Sequence, residues 1–156
     1  MSTRELNYFF EEISDFNKLD PHISKLIVLA KDAAKKAYSP YSKFQVGAVV
    51  ELNNGEILSA NNQENAAYPS GLCAERTVLF YANANYPDIP VRRMVLAAFD
   101  KGQLTNSPVY PCGACRQVMM ETQDRFKQDY EVWMLGKDKL HMVRSIDPLL
   151  PLKFNW

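Results

Sequence analysis

Thiols and imidazoles are scarce in this chain: its 156 residues include three cysteines and two histidines. An odd cysteine count does not make a disulfide framework, and the opening Met1-Ser2-Thr3-Arg4-Glu5 lacks an apolar signal core. The thiols are therefore expected to stay reduced, in a cytoplasmic setting. Excess charge is missing too, since eighteen Lys plus Arg balance eighteen Asp plus Glu. A dedicated nucleic-acid binder needs a positive surplus to follow a phosphate backbone, so that class is set aside, although a local basic patch stays open. No apolar run approaches the length of a membrane span, and no membrane partner is expected. Internal repeats and low-complexity tracts are absent, and the length suits one domain with a sizeable core.

All three cysteines lie in two short segments, Cys73-Ala74-Glu75-Arg76 and Pro111-Cys112-Gly113-Ala114-Cys115-Arg116-Gln117. Each stands where a helix is predicted to begin. Cys112 and Cys115 are three apart, so they share a face of the first turn, and the N-terminal tilt of helical Cα–Cβ bonds carries both sulfurs past the helix end. Zinc binds thiolates in a tetrahedron; a structural site closes all four corners with protein, whereas a catalytic site leaves one to water. Cys73, Cys112 and Cys115 supply three corners. A buried cysteine is otherwise a small hydrophobe, but the joint placement favours metal, and neither His22 nor His141 has a metal-type spacing to a cysteine. Glu75 is read as reaching the water rather than the ion, in a general acid/base role. Arg76 and Arg116 each follow a ligand and are candidates for tempering thiolate charge through contacts to sulfur.

Along the chain, Leu6, Phe9, Phe10, Ile13 and Phe16 recur at helical spacing, which predicts a short amphipathic helix or ordered arm over residues 4–17, packed on its own subunit or on a neighbour. Asp20-Pro21 starts a helix that runs to about Ala37. Phe44 to Leu52 alternates as a strand, Asn53-Asn54-Gly55 turns, and residues 56–61 return. Helices follow over residues 73–85 and 112–123, with strands at 92–99, 130–135 and 140–144. Interleaved strands and helices predict an α/β domain with a mixed sheet of about five strands between helix layers, the metal held by two helix N-termini. Asn62 and Glu64 fall on one side of the chain; an amide beside a carboxylate suits a sugar hydroxyl, and equally a capped turn. The tail from Ile146 to Trp156 is apolar enough to require packing.

Four segments in register, C-A-E-R, P-C-G-A-C-R-Q, Ser39-Pro40-Tyr41-Ser42-Lys43-Phe44-Gln45-Val46-Gly47-Ala48 and Asn62-Gln63-Glu64-Asn65-Ala66-Ala67-Tyr68, together with Leu149-Leu150-Pro151-Leu152-Lys153-Phe154, resemble the cytidine deaminase family. Those small zinc enzymes hydrolyse free pyrimidine nucleosides. The resemblance runs from about Ile23 onward, which makes residues 1–20 an amino-terminal extension and residues 21–156 the deaminase-like domain. It implies the family's α/β/α sandwich, Zn²⁺ as cofactor, and deamination of cytidine and deoxycytidine to uridine and deoxyuridine with release of ammonia. It also implies proton transfer by Glu75, a base edge held by backbone around Ala74, ribose contacts from Asn62 and Glu64, and a base contact from Phe44. Phe154 is implied to stack in a neighbour's site within a homotetramer; by itself, each phenylalanine reads as core. Two other outcomes stay open: a deaminase for a related or modified aminopyrimidine nucleoside, and a zinc-stabilised binding module without chemistry.

Overall fold

In the computed structural model, which describes residues 2–154, the amino-terminal segment is extended. Glu11–Ile13 forms strand β1, and one 3-10 turn follows at Phe16–Lys18. Helix α1, Pro21–Lys35, opens with Pro21 and is capped by Asp20, whose carboxylate accepts the His22 N–H at 2.7 Å. Strands β2, Phe44–Leu52, and β3, Ile57–Asn61, form a hairpin whose turn needs the left-handed backbone of Gly55 at φ 88°. The remaining elements are α2, Ala74–Asn85; β4, Val91–Asp100; β5, Gln103–Leu104; α3, Gly113–Phe126; β6, Glu131–Leu135; and β7, Leu140–Val143.

The sheet order is β1-β7-β6-β4-β2-β3, with β5 paired to β4. Strands β4 and β6 run parallel across the α3 connection and the other pairs are antiparallel, which gives the mixed sheet expected of an α/β chain. Period-two alternation sorts the side chains into two cores. Val49, Val95, Ala97, Trp133 and Leu135 face Ile23, Leu26 and Ile27 of α1. Ala48, Val50, Met94, Leu96, Val132 and Met134 face Val78 and Leu79 of α2 and Met119 and Met120 of α3. Both faces are covered, so β4 reads as a continuous apolar run. Helix α1 lies so close to β2 that a Cβ on Gly47 would stand 2.0 Å from the Ala30 carbonyl oxygen.

One expectation is corrected and one alternative is decided. Among the described residues the sheet has seven strands rather than about five, the additions being β1 and β5. Of the two alternatives for residues 4–17 the structure takes the ordered arm and not the α-helix, because an isolated short helix is marginal in water whereas the edge of β7 offers unpaired backbone groups. The spacing that suggested a helical stripe divides in two: Ile13 and Phe16 pack on the α1-side core, while Leu6, Phe9 and Phe10 remain exposed. At the other end Leu149 is buried and Leu152 and Phe154 are exposed; Asn155 and Trp156 lie outside the described residues. Among the described residues no helix is long and apolar enough to cross a membrane.

Candidate active site

Cys73 and Cys112 are the N-cap residues of α2 and α3, and neither thiol bonds to its own helix backbone. Both sulfurs are therefore free to meet in front of the two helix ends. Cys115, in the first turn of α3, is buried behind them. The Cys73 and Cys112 sulfurs are 3.8 Å apart, those of Cys112 and Cys115 3.3 Å, and all three lie within 4.8 Å of one another. A tetrahedron with Zn–S bonds of about 2.3 Å has edges of about 3.8 Å, so this donor set fits zinc. Hydrogen bonding from Cys115 lowers the Cys73 thiol to about 5, with Arg76 adding to the effect, and the same bond pushes Cys115 up. One thiolate is thus favoured already, and a divalent cation displaces the remaining thiol protons.

Glu75 follows one residue into α2 and is 5 % exposed. Burial raises its carboxyl, and the charge on Cys73 adds to the rise. Glu75, Cys73 and Cys112 share the wall of a cavity of about 320 Å³ with Phe44, Asn62 and Glu64. The cavity places a buried carboxyl and a metal-type donor set beside a lining that is otherwise mostly apolar, a suitable seat for a flat heterocycle.

Residues 21–127 match the family model for the cytidine and deoxycytidylate deaminase zinc-binding region. The chain belongs to the cytidine and deoxycytidylate deaminase family. A cytidine deaminase from Halalkalibacterium halodurans is 47 % identical over 96 residues, 62 % of this chain and 68 % of that protein. One from Sporosarcina psychrophila is 44 % identical over 99 residues, 64 % of this chain and 68 % of its own length. The crystal structure of cytidine deaminase from Burkholderia pseudomallei superposes with a TM-score of 0.73 at 38 % identity, over 87 % of this chain and 100 % of that one. Zinc is the cofactor of this deaminase-family member, and the three-sulfur cluster is placed to hold it.

Around the cluster, this family member uses its two arginines differently. Arg76 donates from Nη2 to the Gly71 carbonyl at 3.5 Å, and the nearby Cys73 sulfur favours its charge against the cost of partial burial. Arg116, expected to contact sulfur, instead donates to the carbonyls of Pro111 and Leu149, each at 2.8 Å, and so ties the ligand loop to the carboxy-terminal turn. Ala74 is fully buried in the first turn of α2. Asn62 lines the cavity, but its amide is already engaged with β2, accepting from Val46 N–H at 2.7 Å and donating to the Phe44 carbonyl at 2.9 Å. Glu64 accepts from the Tyr41 and Ser42 amides at 2.9 and 3.3 Å and from the Ser42 hydroxyl, and that hydroxyl bond chiefly lowers its carboxyl. Both side chains therefore brace the loop that delivers Phe44, through partners 16 to 23 positions away rather than the local backbone of a capped turn, while still facing the cavity. Phe154 is 72 % exposed and does not line its own subunit's cavity. Sequence reasoning missed Tyr110, which lines the cavity; its place just ahead of Pro111-Cys112 was the available signal.

Proposed function

We propose that this protein is a cytidine deaminase converting cytidine and deoxycytidine, with water, to uridine and deoxyuridine and ammonia. The observation that carries the reading is one cavity whose wall holds two of the clustered sulfurs together with the buried acid Glu75. Held by Cys73, Cys112 and Cys115, zinc supplies Lewis-acid activation of the attacking water when it is bound. Glu75 takes one proton from that water and delivers it to N3 as the new C4–O bond forms. It then moves the second proton to the amine as the C4–N bond breaks, leaving a carbonyl at C4 and releasing ammonia. Backbone around Ala74 holds the base edge, Phe44 contacts the base, and the cavity-facing atoms of Asn62 and Glu64 meet the ribose. Arg76 tempers the Cys73 thiolate.

Among the described residues the cavity lining includes no Lys or Arg, so a phosphate finds no compensating charge in that lining, which favours a nucleoside over a nucleotide. The exposed Phe154 supports a homotetramer in which it reaches a neighbour's cavity. A donor set that works only as reduced thiols supports a cytoplasmic location. The test is zinc content measured alongside ultraviolet-monitored conversion of cytidine, deoxycytidine, cytosine and deoxycytidine monophosphate. Zinc-loaded protein that converts neither nucleoside overturns the reading, as does a Glu75→Ala variant with undiminished turnover.

A further inference from the structure

Ahead of the family-matched residues 21–127, strand β1 carries an acid that connects to the cavity wall. Its register sets Glu12 directly opposite His141 of β7, and Glu12 Oε2 lies 2.8 Å from His141 Nε2. The other ring nitrogen, Nδ1, lies 2.6 Å from the hydroxyl of Tyr110. Tyr110 belongs to the irregular segment before α3, where no ladder or helix holds its side chain, and it lines the cavity beside Cys112.

The chemistry gives this chain of contacts a direction. A carboxylate only accepts, so His141 carries a hydrogen on Nε2; in the ring's neutral form Nδ1 is then the acceptor and the Tyr110 hydroxyl donates to it. The ring is 5 % exposed and covered by Phe10, with 4.6 Å between ring centroids, so water does not compete freely for either nitrogen. His141 and, secondarily, Lys139, whose Nζ is 3.0 Å from the same Glu12 oxygen, hold the Glu12 carboxyl below its usual range. Fastening the arm to the sheet does not require this link, since the β1–β7 ladder and the Arg144 Nε bond to Glu11 at 2.9 Å already do so. What the Glu12–His141 bond adds is a fixed imidazole tautomer aimed at a cavity residue.

We propose that Glu12 and His141 are positioning residues that fix the Tyr110 ring as a wall of the nucleoside cavity, so that the amino-terminal arm takes part in substrate binding. This rests on the cytidine reading above. Tyr110 shapes the cavity without supplying a proton, so its anchoring acts on KM rather than on kcat.

The test combines ¹⁵N NMR of the histidine rings with steady-state kinetics on the zinc-loaded full chain. Only two histidines are present, and His22→Gln assigns the signals. Wild type is expected to show His141 as a single Nε2–H tautomer, and Glu12→Ala to convert it to a mixture. Tyr110→Phe keeps the ring and removes the hydroxyl; it and Glu12→Ala are expected to raise KM for cytidine about three- to tenfold, with kcat within about twofold. Glu12→Gln retains an oxygen that accepts from Nε2–H and should return KM to near the wild-type value. The double variant Glu12→Ala/Tyr110→Phe should be no worse than Tyr110→Phe alone, because both interrupt one chain of contacts. An unmoved KM in both single variants, with wild type turning cytidine over normally, overturns the proposal. Additive effects in the double variant, or a tautomer indifferent to Glu12→Ala, also overturn it. Absence of cytidine turnover in zinc-loaded wild type is a different result: it defeats the underlying reading and, with it, the substrate role given to Tyr110.

Discussion

Two acids in this molecule are buried alike, Glu51 at 4 % and Glu75 at 5 % exposure, yet their surroundings are opposite. Glu51 stands near one end of the β2–β4 pair, with Arg93 Nε at 3.2 Å, His22 Nε2 at 3.1 Å and Arg92 at 3.8 Å. Glu75 stands beside the cavity near the other end, facing the sulfur cluster, and burial raises its carboxyl. Taking a carboxylate out of water is costly, and the protein meets that cost in two ways. Flanked by Arg93, Arg92 and His22, Glu51 acts as a structural tie. Glu75, less compensated and open to a cavity, is suited to exchanging protons. Burial by itself does not mark a functional acid; the neighbours decide.

The sharpest test of this contrast is Glu75→Gln. Turnover should fall by about 10³-fold or more while zinc content and melting temperature hold, since an amide preserves shape but cannot relay protons. Retained turnover would erase the distinction between the two acids. Next in size is removal of the metal, by chelation or by Cys112→Ser. Activity should vanish and the melting temperature drop, the loss being about 4 kcal/mol if zinc had stood at a thousand times its dissociation constant. Unchanged melting would mean that the helix ends need no ion. Glu51→Ala should then cost roughly 3 kcal/mol of stability by leaving its cations unpaired, with kcat/KM of the folded protein unchanged. A selective loss of activity there would move Glu51 to the functional side.

The smallest effect belongs to an exposed acid, Glu12, whose carboxyl is lowered below 4.5 by His141 and Lys139. A depressed carboxyl stabilises the fold above its unfolded value and loses that contribution as pH falls through the folded value. Hydrogen exchange at β1 amides should therefore accelerate below about pH 4.5, ahead of global unfolding. Equal acceleration throughout the chain would show that the arm has no separate acid sensitivity.

Local features could be read from the sequence because their physics is local. The Asp20-Pro21 start of α1, the Gly55 turn and the ligand spacing of Cys112 and Cys115 depend on neighbours within a few positions. The arm misled for the same reason: Leu6, Phe9, Phe10 and Ile13 follow a helical period, but what decides their state is the open edge of β7, far away in the chain. Arg116 looked like a partner of sulfur because it follows Cys115, yet its hydrogen bonds go to Pro111 and to Leu149, 33 positions away. Asn62 and Glu64 were correctly placed on one side of the chain, but their bonds to the Tyr41–Val46 stretch depended on how β3 leaves the sheet.

The sequence by itself determined the donors and the elements that present them: three thiols, an adjacent acid, and helix starts immediately after Cys73 and Cys112. Tertiary structure alone decided which polar groups meet, namely Glu51 with Arg93, Glu12 with His141, and His141 with Tyr110. The reason is geometric. Spacing along a helix or strand fixes the direction of side chains over one or two turns, whereas contacts between distant segments follow from which sheet edge and which core face remain to be covered once those elements have formed.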